Sequence, residues 1–571
     1  MTSIRIPAFG GMNAALSERH IDGKLAVYAR DTELRDGKLR AYQTPKFVTR
    51  AQQPVATIFK PPPQFTCGIL TWPTCVSVVV PAMPQACAGF RLLGVFPEQG
   101  DEEAYFLDTD TMGRHVMLPE KPNRALSIRV DQASPFAGAS HTSPDLRIYT
   151  YTWVTHLGIE TAPAPPSNPL RVHDGAVISL TGFDTPPPGV GMMRLYRSSA
   201  EPEGYDEKTR LDFELTSFQL VAEWASDEVG PGVELIDSKM LTELWFGTLD
   251  TVEVCPAPIG LKSVLELDSG YYVGFDGNSI YVSERHEVWN WPEKNRIELP
   301  DTIIGLAKSQ DMIFAVTSGR PAKVKITPTN EEVLGKPTFT TRIDVARAEG
   351  KYPGVSRHAI ASTSFGCVYV SRHGLIMIPV SGDAQNVSRN RIDEDEWVKW
   401  APNRIVWQNG RLFGTRGLVR DGFIMDLRAG DDGKADMGDL VEISMRARAL
   451  HLGDDGIVYY AEDRAVMAWD QGDDLMSYVW RSKKFSVNSL TYFSAGKLLG
   501  KYGKDVVFTL YTFDDEGTRQ HVFTRVVNSS KPFRIPQQRR RTEWQIELKG
   551  SAVIDDLHLA TSIAELSESA Q

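Results

Sequence analysis

Gly410-Arg411-Leu412-Phe413-Gly414 is a short stretch, and its importance lies in its copies. Asn278-Ser279-Ile280-Tyr281-Val282, Asp311-Met312-Ile313-Phe314-Ala315, Gly366-Cys367-Val368-Tyr369-Val370 and Gly456-Ile457-Val458-Tyr459-Tyr460 follow the same plan. Each begins at a turn residue and runs into an apolar-aromatic-apolar strand, the pattern of a buried hairpin arm. Counted from residues 281, 314, 369, 413 and 459, the spacings are 33, 55, 44 and 46. Four-stranded propeller blades recur about every 40–50 residues. Ala104-Tyr105-Phe106-Leu107, followed by His115-Val116-Met117-Leu118, reads as another copy far upstream. The pattern predicts an all-β chain built on a β-propeller of about six blades. A series of ordinary hairpins in a sandwich is the competing arrangement.

Strand signals continue on both sides of the repeat. Val76–Val80, Ile148–Trp153, Val506–Tyr511 and Trp544–Leu548 are β-branched or aromatic, and several alternate with period two. Asp276-Gly277, Asn409-Gly410, Asp421-Gly422 and Asp455-Gly456 supply the residues that hairpin turns require. Residues 143–246 differ from the repeat: short strands surround the Pro-rich turn Ala162–Pro166, as in a fibronectin- or immunoglobulin-like sandwich. The resulting division is an N-terminal segment 1–60, propeller 61–142, inserted sandwich 143–246, propeller 247–480 and a C-terminal β module 481–571. Residues 61–90 carry no charge, but Pro73, Pro81 and Pro84 break them. Two buried strands around a turn fit better there than a spanning helix.

Composition narrows the function. The 571 residues are 42% hydrophobic and 24% charged, ordinary for a soluble multidomain protein. The net charge of −11 argues against a general nucleic-acid binder. It is unevenly spread: residues 481–549 hold 14 Lys/Arg and 6 Asp/Glu, a net of +8, leaving −11 − 8 = −19 elsewhere. Five cysteines suit a reducing setting better than a disulfide framework. Met1–Leu16 has no apolar stretch of signal-peptide length.

Catalytic motifs are scarce. No phosphate-binding Gly-x4-Gly-Lys loop occurs, and Gly189-Val190-Gly191 lacks the third glycine of a dinucleotide site. His286-Glu287 has no second histidine at zincin spacing. Asp431–Asp436 lacks the ligand alternation of a calcium loop, and Cys67, Cys75 and Cys87 lack a zinc pair. Asp393-Glu394-Asp395-Glu396 offers carboxylates for hydrolysis, yet such a run ordinarily marks a solvated turn. Histidines 286, 358, 373 and 451 are spread over the blades, as a propeller hydrolase or lyase would need. No catalytic residue, metal or cofactor is assigned. Trp289, Trp291, Trp397 and Trp400 are the aromatic positions that a glycan-binding adhesin would use.

One resemblance spans most of the chain. Gly274-Phe275-Asp276-Gly277-Asn278-Ser279-Ile280-Tyr281-Val282-Ser283-Glu284, then Trp289-Asn290-Trp291-Pro292 and Ile303-Ile304-Gly305-Leu306, resembles the tail nozzle (tail hub) proteins of short-tailed bacteriophages. Phe9–Asn13 with Gly37–Arg40 is similar to that family's opening segment. Tyr149–Ser167 with Arg194–Arg197 is similar to its inserted sandwich. Pro532–Pro536, Trp544, Gly550 and Leu559–Ser562 are similar to its C-terminal module. Arg285–Trp289 departs from the family by lacking a proline. The resemblance implies a virion structural protein assembled in the host bacterial cytoplasm, doing structural work rather than catalysis. It further implies a hexameric ring below the portal and adaptor, adjoining tail fibre or tailspike proteins. Such a ring closes the channel, retains packaged DNA and conducts it at ejection without sequence-specific binding. Two surfaces are candidates for those contacts: the basic run Arg539-Arg540-Arg541 beside Trp544, and the uncharged segment with Phe65 and Trp72.

Overall fold

The computed structural model describes residues 3–34, 36–82, 90–135, 144–198, 217–244, 247–333, 336–429 and 435–568. The chain divides into two compact units, Met1–Cys75 with Leu299–Gln571, and Val76–Glu298.

The first unit contains four blades of antiparallel strands; three are separate four-stranded sheets, and the third in order runs on from Ala435–Ile443 through Ala26–Arg30 into a ten-stranded sheet. They open at Ile303–Ser309, Ile360–Thr363, Arg404–Gln408 and Ala449–Leu452. Each opening strand packs against the next, and the last packs against the hairpin Thr57–Phe59/Leu70–Trp72. These opening strands therefore form the inner edge of the array. Blade hairpins use the turn chemistry that the sequence offers. Asn409 and Gly410 both have positive φ, 46° and 85°, between the paired residues Gln408 and Arg411. That is the primed turn whose twist matches paired strands.

The fourth blade is completed from far away. Its outer strand is Lys46–Arg50, paired with Ala465–Ala468. Two further N-terminal strands join the C-terminal module. Ala26–Arg30 pairs with Tyr478–Ser482, and Ile4–Ile6 pairs with Val553–Ala560. The predicted segment 1–60 is thus distributed over two sheets and a blade. Phe9 meets Trp480 edge-on at 4.9 Å, and the Trp480 indole donates to the Gly10 carbonyl at 3.0 Å. A Cβ on Gly11 would lie 2.4 Å from the Leu440 amide nitrogen, so only glycine permits this approach.

The second unit holds two more four-stranded blades, opening at Val76–Val79 and Lys262–Glu266, whose opening strands touch. A sandwich interrupts the chain between them. One of its sheets is Ser127–Gln132, Val177–Thr181 and Leu235–Asp237; another is Tyr149–Thr155, Val190–Ser198 and Phe218–Ala225. The sandwich therefore begins before residue 143. Ser127–Gln132 is mostly exposed and polar, so apolar patterning does not reveal it.

The all-β expectation holds, with blades and an inserted sandwich. The repeat needs one correction. Asp311–Ala315, Gly366–Val370, Gly410–Gly414 and Gly456–Tyr460 fall on second strands, but Asn278–Val282 falls on a third. Ala104–Leu107 likewise falls on a third strand. Both strand types are buried and follow tight turns, so composition does not separate them. Counted from Gly274 in the second strand, the short interval becomes 314 − 274 = 40. The long interval reflects the twelve-residue strands Ala322–Val333 and Lys336–Arg347.

Candidate functional site

The aromatic candidates are mostly core. Trp72 and Trp289 are 9% exposed, Trp291 is 3% exposed and Trp544 is fully buried. Trp291 packs edge-on against Phe96 at 5.9 Å and donates to the Val288 carbonyl at 2.8 Å. Trp397 is buried as well, and its indole donates to Ser371. Large rings gain most by filling cores, and these five candidate tryptophans are removed from the surface set. Phe65 is half-buried in the loop before Leu70–Trp72. Residues 83–89, including Cys87, lie outside the described residues, as do 431–434 of the acidic loop.

The arginine triplet divides. Arg539 and Arg540 are exposed, with the Arg540 guanidinium 5.9 Å from the Tyr492 ring. Arg541 is half-buried, opens the strand Arg541–Gly550 and meets Asp515 at 3.4 Å. Its charge is therefore already engaged within the chain.

The carboxylate run also has local work. Asp393 caps the helix Glu394–Trp400, its side chain accepting from the Glu396 amide at 2.7 Å. Acids in this first turn complement the helix dipole. Glu394 Oε1 lies 2.6 Å from His373 Nδ1, and Glu396 meets Lys399 at 2.6 Å. These contacts direct the carboxylates to separate partners rather than across one bond, as paired glycosidase acids require.

His373 and Glu394 nevertheless border a cavity of about 820 Å³, with Tyr352, Asn386, Arg389 and Asn390 among its lining. Asn386 donates to the His373 carbonyl at 2.6 Å, fixing the turn that carries the histidine. Asn386, Arg389 and Asn390 belong to the stretch after the blade's third strand, and no motif spacing marks them. The cavity offers amide, guanidinium and imidazole groups to a polar ligand. His373 and Glu394 are 50% and 67% exposed, so water screens their interaction.

The other histidines do not converge on that cavity. His286 is exposed at φ 64° beside Gly270, where a Cβ would strike its ring at 2.2 Å. His451 accepts from the Lys60 amide at 3.0 Å, and burial lowers its pKa to about 4. His358 lies 3.5 Å from the Cys75 sulfur; burial, with the Arg404 and Arg357 charges, lowers its pKa to about 3. Among the described residues no group of three or more His, Cys, Asp or Glu side chains is placed to hold a metal. No helix among them is long and apolar enough to cross a membrane.

No family model matches the chain, and no curated protein matches it. Three solved structures illustrate its similarities. A streptogramin B lyase is 11% identical, with 62% of this chain and 98% of that chain covered and a TM-score of 0.22. A CNH domain is 10% identical, with coverage of 55% and 92% and a TM-score of 0.23. A structure described as an oxidoreductase (glucose dehydrogenase) from Thermus thermophilus is 11% identical, with coverage of 75% and 99% and a TM-score of 0.23. At these values none bears on the chemistry of this chain.

Proposed function

We propose that this chain is a structural virion protein, the nozzle or hub that continues and closes the DNA channel of a short-tailed bacteriophage. The observation that carries this reading is the interruption of a blade array by a sandwich, between two blades whose opening strands touch. The family-like segments occupy distinct structural positions. Gly274–Glu284 includes a blade hairpin, Tyr149–Ser167 and Arg194–Arg197 contribute buried sandwich strands, and Phe9–Asn13 is locked under Trp480. In this reading six copies form a ring below the portal and adaptor, around DNA that passes without sequence-specific contacts. The excess of negative charge outside residues 481–549 disfavours phosphate binding along such a path.

The experiment is a phage carrying a stop codon early in this chain's reading frame. Its heads should fill with DNA and then lose it, and density for six chains should be missing at the tail tip. Particles that retain DNA and show an unchanged tail would overturn the assignment. The cavity beside His373 favours a second reading, a receptor- or glycan-binding tail protein. Glycan-array binding abolished by Arg389→Ala, in a chain that is monomeric in solution, would select it.

A further inference from the structure

Independently of the nozzle reading, the inner edge of the first unit concentrates positive charge. Arg404 begins the opening strand of one blade, Arg448 immediately precedes the next, and the short helix Arg357–Ala359 immediately precedes the opening strand Ile360–Thr363. The Arg357 and Arg448 charges both act on Arg404, which places the starts of these strands close together. The short helix packs on both Arg404–Gln408 and Ile303–Ser309, and the Cβ built on Gly305 falls 3.2 Å from the Arg357 Cα. Cys75 reaches the same place from the Leu70–Trp72 hairpin, with its sulfur 3.5 Å from His358 Nε2.

This grouping is unusual in a chain of net charge −11. Arg448 has an exposed carboxylate partner, Asp463, at 3.3 Å. Arg404 is half-buried and has no carboxylate partner among the described residues. Burial lowers its pKa, and the like charges of Arg357 and Arg448 act in the same direction, while Cys75 opposes them. Burying repelling cations is costly unless a counter-charge enters. Guanidinium forks suit the tetrahedral oxygens of a phosphate-class anion, and a half-exposed location lets one in.

We propose that Arg404, Arg357, Arg448 and His358, with Cys75 beside them, form a binding site for a small free oxyanion of the phosphate class. The site takes the ion between the starts of successive inner strands, and no covalent step is involved.

The test uses the full chain and inorganic phosphate, with chloride adjusted to constant ionic strength. Phosphate should slow alkylation of Cys75 about tenfold, read by peptide mass spectrometry, while the half-buried Cys67 keeps its rate. It should also raise the thermal midpoint, as any ligand selective for the folded state does. Arg404→Gln should raise the midpoint without phosphate, because repulsion is relieved, and should abolish both phosphate effects. A purely structural Arg404 predicts the reverse, a lower midpoint and unchanged protection. That result would overturn the proposal. So would equal protection by chloride, or protection by a single-stranded oligonucleotide but not by free phosphate.

Discussion

Asp237 shows how much one buried carboxylate can organise. It is fully buried in the sandwich, and its Oδ2 accepts from Arg197 and from the Tyr149 hydroxyl, each at 2.7 Å. Its Oδ1 accepts from the Lys239 amide at 3.0 Å. Removing one partner of such a pair leaves the other charge buried without compensation, at a cost of about 3–5 kcal/mol. Asp237→Ala should therefore destabilise the sandwich by that amount, whereas Tyr149→Phe should cost about 1.5–3 kcal/mol as a lost hydrogen bond to a charged group. Hydrogen exchange along Tyr149–Thr155 and Val190–Ser198 would check both, and equal protection in both variants would refute the ranking. The two lowered histidines give a second residue-scale expectation. His358 and His451 titrate near 3 and 4 in the folded chain, against about 6.5 in an unfolded one. Between those values the unfolded chain takes up protons that the folded chain refuses. Their stabilising contribution is thus complete above about pH 6.5 and falls with acidification, by up to about 1.4 kcal/mol per pH unit for each histidine. Denaturation midpoints of His358→Asn and His451→Asn should depend less steeply on pH between 4 and 6.5 than the parent, as a range set by those pKa values.

At the scale of elements, the closing strand Lys46–Arg50 carries an expectation of its own. It covers the main-chain edge of Ala465–Ala468, and such an uncovered edge is a template for pairing with another chain. A chain lacking residues 1–50 should expose that edge and aggregate at concentrations where the full chain does not, as light scattering would show. A soluble truncated chain with unchanged exchange along Val458–Glu462 would refute it. This strand also shows where sequence reading stops. The individual hairpins were legible because their turns and strands lie within a few residues of each other. Lys46–Arg50 has an exposed, charged sequence, and its partner lies more than 400 residues away. Nothing local announces that pairing. The same limit hid the candidate sites: Arg404, Arg357 and Cys75 come from three separate segments, and His373 reaches Glu394 only because a turn and a helix start meet. The tryptophans failed for another reason, since a ring suited to a sugar face is equally suited to a core.

For the whole molecule, the division of charge into +8 over residues 481–549 and −19 elsewhere points to docking through the C-terminal module. Arg541 is a poor candidate for that contact because Asp515 already holds it. Arg539 and Arg540 are exposed, and their guanidinium groups stand at the entry to the strand Arg541–Gly550. Reversing both with Arg539→Glu and Arg540→Glu changes the module's net charge by four, from +8 to +4, without touching a buried group. The isolated variant should keep its thermal midpoint within about 0.5 kcal/mol of the parent, as surface substitutions ordinarily do. On the proposed nozzle reading, the same variant should be depleted from the tail of assembled particles, because an acidic neighbour would meet repulsion where it met paired forks. Moderate salt weakens attraction and repulsion between exposed charges alike, so the difference between parent and variant should narrow as ionic strength rises. Equal incorporation of parent and variant at low salt would show that the arginines are merely solvated, and would leave the charge asymmetry without a docking role.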